Sequence, residues 1–542
     1  MSSTRFMRGV RCLLAPVVAG GLLHGCMLVG PDFVTPNAPQ MSRWVRYELA
    51  AYQQYSGVTD RRGPEVEWWR VFNDPTLDKL IALARQQNLT LRMAGIRIYQ
   101  ARAELGIIIG DQFPQSQTAG FEYKKERITK STGLAREIDR FHDFNPTFND
   151  WSIGFDAGWE LDIWGKVRRG VQSAMANLAA QVANYDDVLV TLRGDVATTY
   201  VTIRALQAGI ALVNQNVATQ TQSLNLTELR FKNGVTTELD VQEATALLNN
   251  TKATVPPAQT DLSQAKNALA VLLGVTPSEA AKLVDRPGSI PRPPATVGLG
   301  IPADLLRRRP DVRAAELNAA AQAAQIGVAR ADLYPSFAIS GSIGLKASNL
   351  GNLFQDQSFT GLINPGISWN ILNYGRIRNN VRVQDAKYQE LIVNYQRVVL
   401  KAYAEVEDAL AGFMNAKQEA IFLARSVTAA RAASRIALEQ YRDGTADYTR
   451  VLNTQQEMLH AEERLTSVRA DVVTNLIAVY KGLGGGWQPA NYGDFIPQAT
   501  KEQMASRTKW GKLLEPEAIP AGARELAVPA PKLRPVISPD LW

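Results

Sequence analysis

The chain has 542 residues, of which 20% are charged, with a formal net charge of +7. That length allows several compact domains, yet the Ala-rich helical texture favours something elongated, and basic residues interspersed with acids argue against nucleic acid as a partner. Its two cysteines, Cys12 and Cys26, both lie near the N-terminus and exclude a disulfide framework or a cysteine-built zinc site.

Residues 1–25 read as a signal peptide: Arg5, Arg8 and Arg11 precede an apolar stretch from Cys12 to Leu23 that is too short to span a bilayer. Leu23-His24-Gly25-Cys26 resembles a bacterial lipobox, although His24 departs from the small or apolar residue usual there. Lipid attachment at Cys26 is therefore expected, each acyl chain contributing about 0.8 kcal/mol per buried methylene. An ordinary cleaved signal with an incidental cysteine is the other reading. No run of 18 apolar residues follows, so any membrane crossing is expected to use strands.

After an N-terminal segment over 26–75, the chain is written twice, over 76–275 and 302–487, separated by a Pro- and Gly-rich linker at 276–301. Trp159 to Arg168 answers to Trp369 to Arg378 at an offset of 210, and the same offset aligns Gly234 with Gly444 and Gly274 with Gly484. Each repeat reads helix, strand, strand, long helix, turn, helix. In the first, a helix is expected from Thr76 to Gly110, then strands near 113–125 and 150–163 that alternate in period two, with Ile153, Phe155 and Trp159 opposing Asp156 and Glu160. An apolar stripe at steps of three and four then runs from Gly165 to Phe231, a rod of roughly 100 Å at 1.5 Å per residue. A returning helix over Thr237–Leu273 must kink or break at Pro256-Pro257. The second repeat places a shorter helix at Asp311–Leu333, strands near 335–347 and 358–372, a long helix over Gly375–Arg442 and a return over Tyr448–Leu483. The linker is expected to pack around the middle of the rods with the N-terminal segment, and the Pro-rich tail over 488–542 to be disordered.

Strand alternation fits either a membrane barrel or a soluble sandwich. The long helices favour the first. Four strands cannot close a barrel, and an open edge in hydrocarbon leaves backbone groups unsatisfied at several kcal/mol each. Copies must then share one. Two would give eight strands, whose interior fills with side chains, whereas three give twelve and room for a duct. The expected fold is an α+β membrane protein: a trimeric 12-stranded transmembrane β-barrel, four strands per chain, continued by a periplasmic α-helical coiled-coil barrel.

Four separated stretches resemble the TolC/OprM family of outer-membrane efflux proteins, particularly its NodT-type lipoproteins: Cys26 to Pro36, Trp68 to Leu77, Asp304 to Val312, and Leu483 to Trp487. The resemblance implies a homotrimer in the outer membrane of a Gram-negative bacterium, lipid-anchored through Cys26 and extending into the periplasm. It also implies a periplasmic adaptor (membrane fusion) protein and an inner-membrane transporter of the RND type as partners, with efflux of drugs or other toxic compounds as the function. The turns at Asn233-Gly234 and Asp443-Gly444 would form the distal mouth and contact the adaptor. Family members narrow that aperture with acidic residues, but Arg450 and Asn453 stand at the matching positions, with Asp447 and Tyr448 nearby and Asp240 and Glu243 as their first-repeat equivalents. A solvated helix face is the plainer reading of those charges. Asp156 and Glu160 would line the barrel lumen.

No cofactor, metal site or catalysis is expected. His142 and His460 have no ligand partners at metal spacing, and Gly484-Gly485-Gly486 ends a helix instead of opening one on a phosphate. A non-pore periplasmic coiled coil and a surface lipoprotein are the rival classes.

Overall fold

The computed structural model describes residues 28–39, 41, 44, 58–59, 66–129, 131, 146–294, 297–298, 309–487 and 494–515. The signal peptide, Cys26 and the tail beyond 515 lie outside them. In chain order the helices and strands of the first repeat are α1 (Pro75–Gln87), α2 (Leu89–Gly110), β1 (Ser116–Arg127), β2 (Thr147–Leu161), α3 (Lys166–Lys232), α4 (Glu238–Ala253) and α5 (Val255–Leu273), followed by α6 (Pro277–Val284). The second repeat supplies α7 (Pro310–Ala331), β3 (Ser336–Ala347), β4 (Phe359–Ser368), α8 (Arg376–Arg442) and α9 (Tyr448–Gly482), and a tail helix follows as α10 (Gln498–Arg507).

The duplication is metrical. Helices α3 and α8 are both 67 residues, roughly 100 Å each. Both start behind a left-handed glycine, Gly165 at φ 78° and Gly375 at φ 82°, which turns the chain out of a strand and into a rod. Helices α2 and α7 are both 22 residues, which corrects the expectation of a continuous first helix from Thr76. Buried Asn88 ends α1 and caps α2: its Oδ1 accepts from the Leu91 N–H at 2.7 Å while its Nδ2 donates to Leu272 O at 2.8 Å. The return of the first repeat is interrupted at Thr254, and Pro256 sits in the first turn of α5, where a missing donor costs nothing. The second repeat's return, α9, is continuous over 35 residues.

The four long strands form one antiparallel sheet in sequence order, β1-β2-β3-β4, so that β1 and β4 are edges. Their register, with Phe121 opposite Ile153, Ile153 opposite Leu345 and Phe155 opposite Ile343, stacks apolar side chains on one face. The ladder Thr118, Asp156, Ser342 runs across the other. Both edge strands are exposed along their whole length.

The main core lies at mid-height, where α1, α2, α3, α5, α8 and α9 converge. Trp68 is fully buried there, stacked on Tyr480 at 5.5 Å between ring centres. Asp74 caps α1 through Thr76 N–H and Leu77 N–H and also accepts from the Tyr200 hydroxyl at 2.7 Å, tying α1 to α3. Helix α3 contains one 18-residue window apolar enough to cross a membrane by length and composition, with mean hydropathy 1.4. Its apolar residues Val196, Val201 and Ile203 are committed to this core.

Two more expectations are corrected. The linker is partly regular: Thr276 and Glu279 form a capping box that starts α6, and Val297-Gly298 pairs in parallel with Val58-Thr59 of the N-terminal segment. Part of the tail, Asp494 to Glu515, is ordered as well. Phe495 and Ile496 are buried in the core, and the Arg102 Nη1 donates to Leu513 O and Glu515 O at 3.2 and 3.1 Å.

Candidate functional site

The sheet carries the marks of a membrane-spanning wall on one face. Ile343, Ile363 and Ile367 are 54%, 80% and 70% exposed in a single copy, which apolar side chains in water rarely are as a contiguous set. Aromatic side chains gather at both ends. At one end Trp151 packs against Tyr123 at 4.2 Å and Phe121 at 6.0 Å. At the other, the indole N–H groups of Trp159, Trp164 and Trp369 donate to Gln112 O, Pro335 O and Leu333 O. Trp151 to Trp159 spans eight residues of β2, roughly 20 to 26 Å depending on tilt, which matches the apolar band between two interfacial girdles. In the sequence Trp159 and Trp369 set the repeat register and Trp159 marks the apolar strand face, but the spacing from Trp151 to Trp159 along one strand is a further signal that went unread.

The faces place two expected residues plainly. Asp156 and Glu160 are exposed and share the face opposite Phe155 and Trp159, in register with Ser342 and Ala338. The inner end of the sheet also receives the N-terminal segment. Val29 N–H donates to Trp164 O at 3.2 Å, and buried Arg169 donates to Val29 O and Gly30 O and pairs with Asp32 at 2.9 Å.

About 100 Å away, α3 and α8 end in matching turns. Gly234 at φ 72° and Gly444 at φ 76° are left-handed, with Val235 N–H and Thr445 N–H both returning to carbonyls of the last helical turn at 2.9 Å. Arg230 joins the two turns: its Nη1 donates to Tyr441 O at 2.8 Å and Arg442 O at 2.9 Å, and its guanidinium lies over the Tyr441 ring at 4.8 Å. Sequence reasoning missed this tie, since its partners are 211 and 212 residues apart.

The aperture candidates divide into four groups. Asp240 and Glu243 are half-buried, Asp240 accepting from the Thr236 hydroxyl and Glu243 holding one oxygen buried without a hydrogen bond. Asp447 caps α9 by accepting from Arg450 N–H at 3.2 Å. Tyr448 is a correction: it is 1% exposed, packed against Tyr441 at 5.4 Å, and does not reach the surface. Burial, followed by the charges of Glu243 and Asp240 after Tyr441, pushes its phenol well above the usual range. Arg450 and Asn453 are exposed on α9, as are Asn233, Gly234, Asp443 and Gly444 at the turns.

Comparison with family models matches residues 80–275 and 301–485, the two repeats, to "Outer membrane efflux protein". The chain belongs to the outer membrane efflux protein family. Among its relatives, the solvent efflux pump outer membrane protein SrpC of Pseudomonas putida is 30% identical over 483 residues, 87% of this chain and 98% of that one. The pyoverdine export outer membrane protein OpmQ of the same species is 30% identical over 458 residues, 84% and 94% of the two chains. Among solved structures, the outer-membrane channel OprN superposes with a TM-score of 0.78 at 31% identity, covering 85% of this chain and all of that one. The open state of the Neisseria gonorrhoeae MtrE outer membrane channel gives 0.70 at 25% identity, covering 85% and 98%. This efflux protein thus has the α+β channel fold of the family and serves as the outer-membrane exit duct of an efflux system. The ordered tail from Asp494 to Glu515 lies beyond the matched repeats.

Proposed function

We propose that three copies of this chain close one 12-stranded barrel in the outer membrane and continue it into the periplasm as a tunnel of helices. Such a trimer passes small toxic molecules outward from a periplasmic adaptor and an inner-membrane RND-type transporter. The observation that carries this reading is the four-stranded sheet, apolar on one face, polar on the other and unpaired at both edges among the described residues. A lone sheet of that kind leaves the outer N–H and C=O groups of β1 and β4 unsatisfied in hydrocarbon, and joining β4 to β1 of the next copy removes the deficit. Asp156 and Glu160 then face the lumen, with Ile343, Ile363 and Ile367 toward lipid. Heat-resistant trimers in outer-membrane fractions, together with ion conductance in planar bilayers, are the expected result; a folded, detergent-free monomer overturns the reading.

Lipid anchoring at Cys26 is supported by the docking of the N-terminal segment. Leu28 lies against Gly165 at the inner aromatic girdle, where an added Cβ would sit 2.5 Å from Leu28 Cδ1. Cys26 is two residues upstream, within about 7 Å of contour. Mass spectrometry of the mature N-terminus should find a diacylglyceryl cysteine with an acylated amine, and an unmodified Cys26 would refute anchoring.

The distal turns, Asn233-Gly234 and Asp443-Gly444, are the proposed adaptor contacts, and a crosslink through a cysteine at either asparagine or aspartate tests that. The aperture then combines exposed Arg450 and Asn453 with half-buried Asp240 and Glu243. A threefold axis multiplies each charge into a ring. Conductance and cation preference should therefore change more in Arg450→Ala than in Asp240→Ala, and unchanged conductance in both leaves only a solvated helix face.

A further inference from the structure

A cavity of about 560 Å³ opens between α1, the start of α2, the middle of α3 and the segment leading into α10. Arg70, Arg85, Arg92 and Arg193 all line it. Of the lining acids among the described residues, Glu67 is paired with Arg70 at 3.1 Å while its charge also reaches Arg193, Asp494 is paired with Lys501, and Asp78 lines the cavity with Arg85 and Arg92. Arg193 is 7% exposed, and its Nε has no hydrogen-bond partner among the described residues. The Trp69 ring, 4.8 Å from the Arg193 guanidinium, holds its plane. The Arg92 Nε is likewise buried and unbonded, as is Asp78 Oδ1. Burial and then the neighbouring charge of Arg85 push the Arg193 guanidinium down to about 10.

A buried guanidinium with an unused donor and a second cation beside it is costly unless an anion joins it. Arginine suits such a partner because its planar fork meets two oxygens of one oxyanion at once. We propose that this cavity binds a hydrogen phosphate group, with Arg193 as the buried anchor, Arg85 and Arg92 as the flanking donors, and the Asp78 carboxylate accepting the phosphate's own proton through its outer oxygen. The acid gives the site its selectivity. An oxyanion that still carries a proton can donate to Asp78, whereas sulfate, fully deprotonated at neutral pH, sets a lone pair against the carboxylate. Part of the wall, Asp494 to Gln498, comes from the tail, outside the two family-matched repeats. The proposal is independent of the exit-duct reading, and its readout needs no transport.

The test is thermal unfolding of the full chain, purified in detergent and titrated at constant ionic strength with inorganic phosphate, glycerol phosphate or sulfate. Phosphate should raise the unfolding temperature saturably, with sulfate at least tenfold weaker. A response to inorganic phosphate alone at every pH assigns the free ion; glycerol phosphate, mostly the proton-free dianion at neutral pH, should match sulfate there, and a gain in its affinity below about pH 6 assigns a monoester. Arg85→Gln, at an exposed position, should weaken phosphate at least tenfold, and Asp78→Asn should bring sulfate to parity. A non-saturable response, an unaltered affinity in Arg85→Gln, or equal binding of phosphate and sulfate to the unsubstituted chain would overturn the site.

Discussion

The sheet and the mid-height core of this efflux protein solve opposite problems. Around Trp68, Tyr200 and Phe413 the helices bury their apolar faces within one copy. The strands bury almost nothing, with β1 and β4 exposed throughout. The core is thus specified by one sequence folding on itself. The sheet is specified against lipid and against further copies, so its stability exists only in an assembly.

The largest effect should come from the core. Trp68→Ala removes the stack on Tyr480 and the edge contact with Trp69, at about 3 to 5 kcal/mol, and should abolish detergent-stable protein altogether. Next is the sheet: Ile363→Arg on the apolar face should cost about 2 to 4 kcal/mol of insertion near the bilayer centre. Asn364→Arg, one residue along and on the other face, should insert normally and change conductance; the reverse pattern would exchange the two faces.

A third prediction probes the helical region through pH. Asp187 on α3 is pushed up to about 6 by burial and then by Asp311. A carboxyl whose folded value lies above its unfolded one binds its proton more tightly when folded, so its contribution is full below about pH 4 and is lost as pH rises through 6. Asp187→Asn should therefore stabilise the protein at pH 7.5 by up to about 3 kcal/mol and by little at pH 4, measured by unfolding at both. The smallest effect belongs to the distal turn. Asp447→Ala removes the cap on Arg450 N–H at about 1 kcal/mol, which hydrogen exchange at the first turn of α9 would register while the sheet is unaffected.

Much of this architecture was legible because it is periodic. Strands at period two and rods at steps of three and four repeat often enough to be read, and the 210-residue offset fixed their order. Single contacts were not legible. Asn88 breaks a helix through a carbonyl 184 residues away, and Arg230 reaches across 211 residues to Tyr441. Tyr448 reads as an aperture residue by its position after a turn, but rotation about α9 carries it inward onto Tyr441. The tail misled through composition: its prolines concealed Phe495 and Ile496, two apolar residues sufficient to pin it to the core. The capping box at Thr276 and Glu279 was visible in the sequence and went unread in a stretch judged by its prolines.

Equal rod length sets a tolerance on how this protein can evolve. A one-residue insertion in α3 alone would advance its tip by about 1.5 Å and swing it by about 100°. Arg230 would then point away from the Tyr441 carbonyl. Length changes should therefore survive only when mirrored in both halves, so that each half polices the other's dimensions.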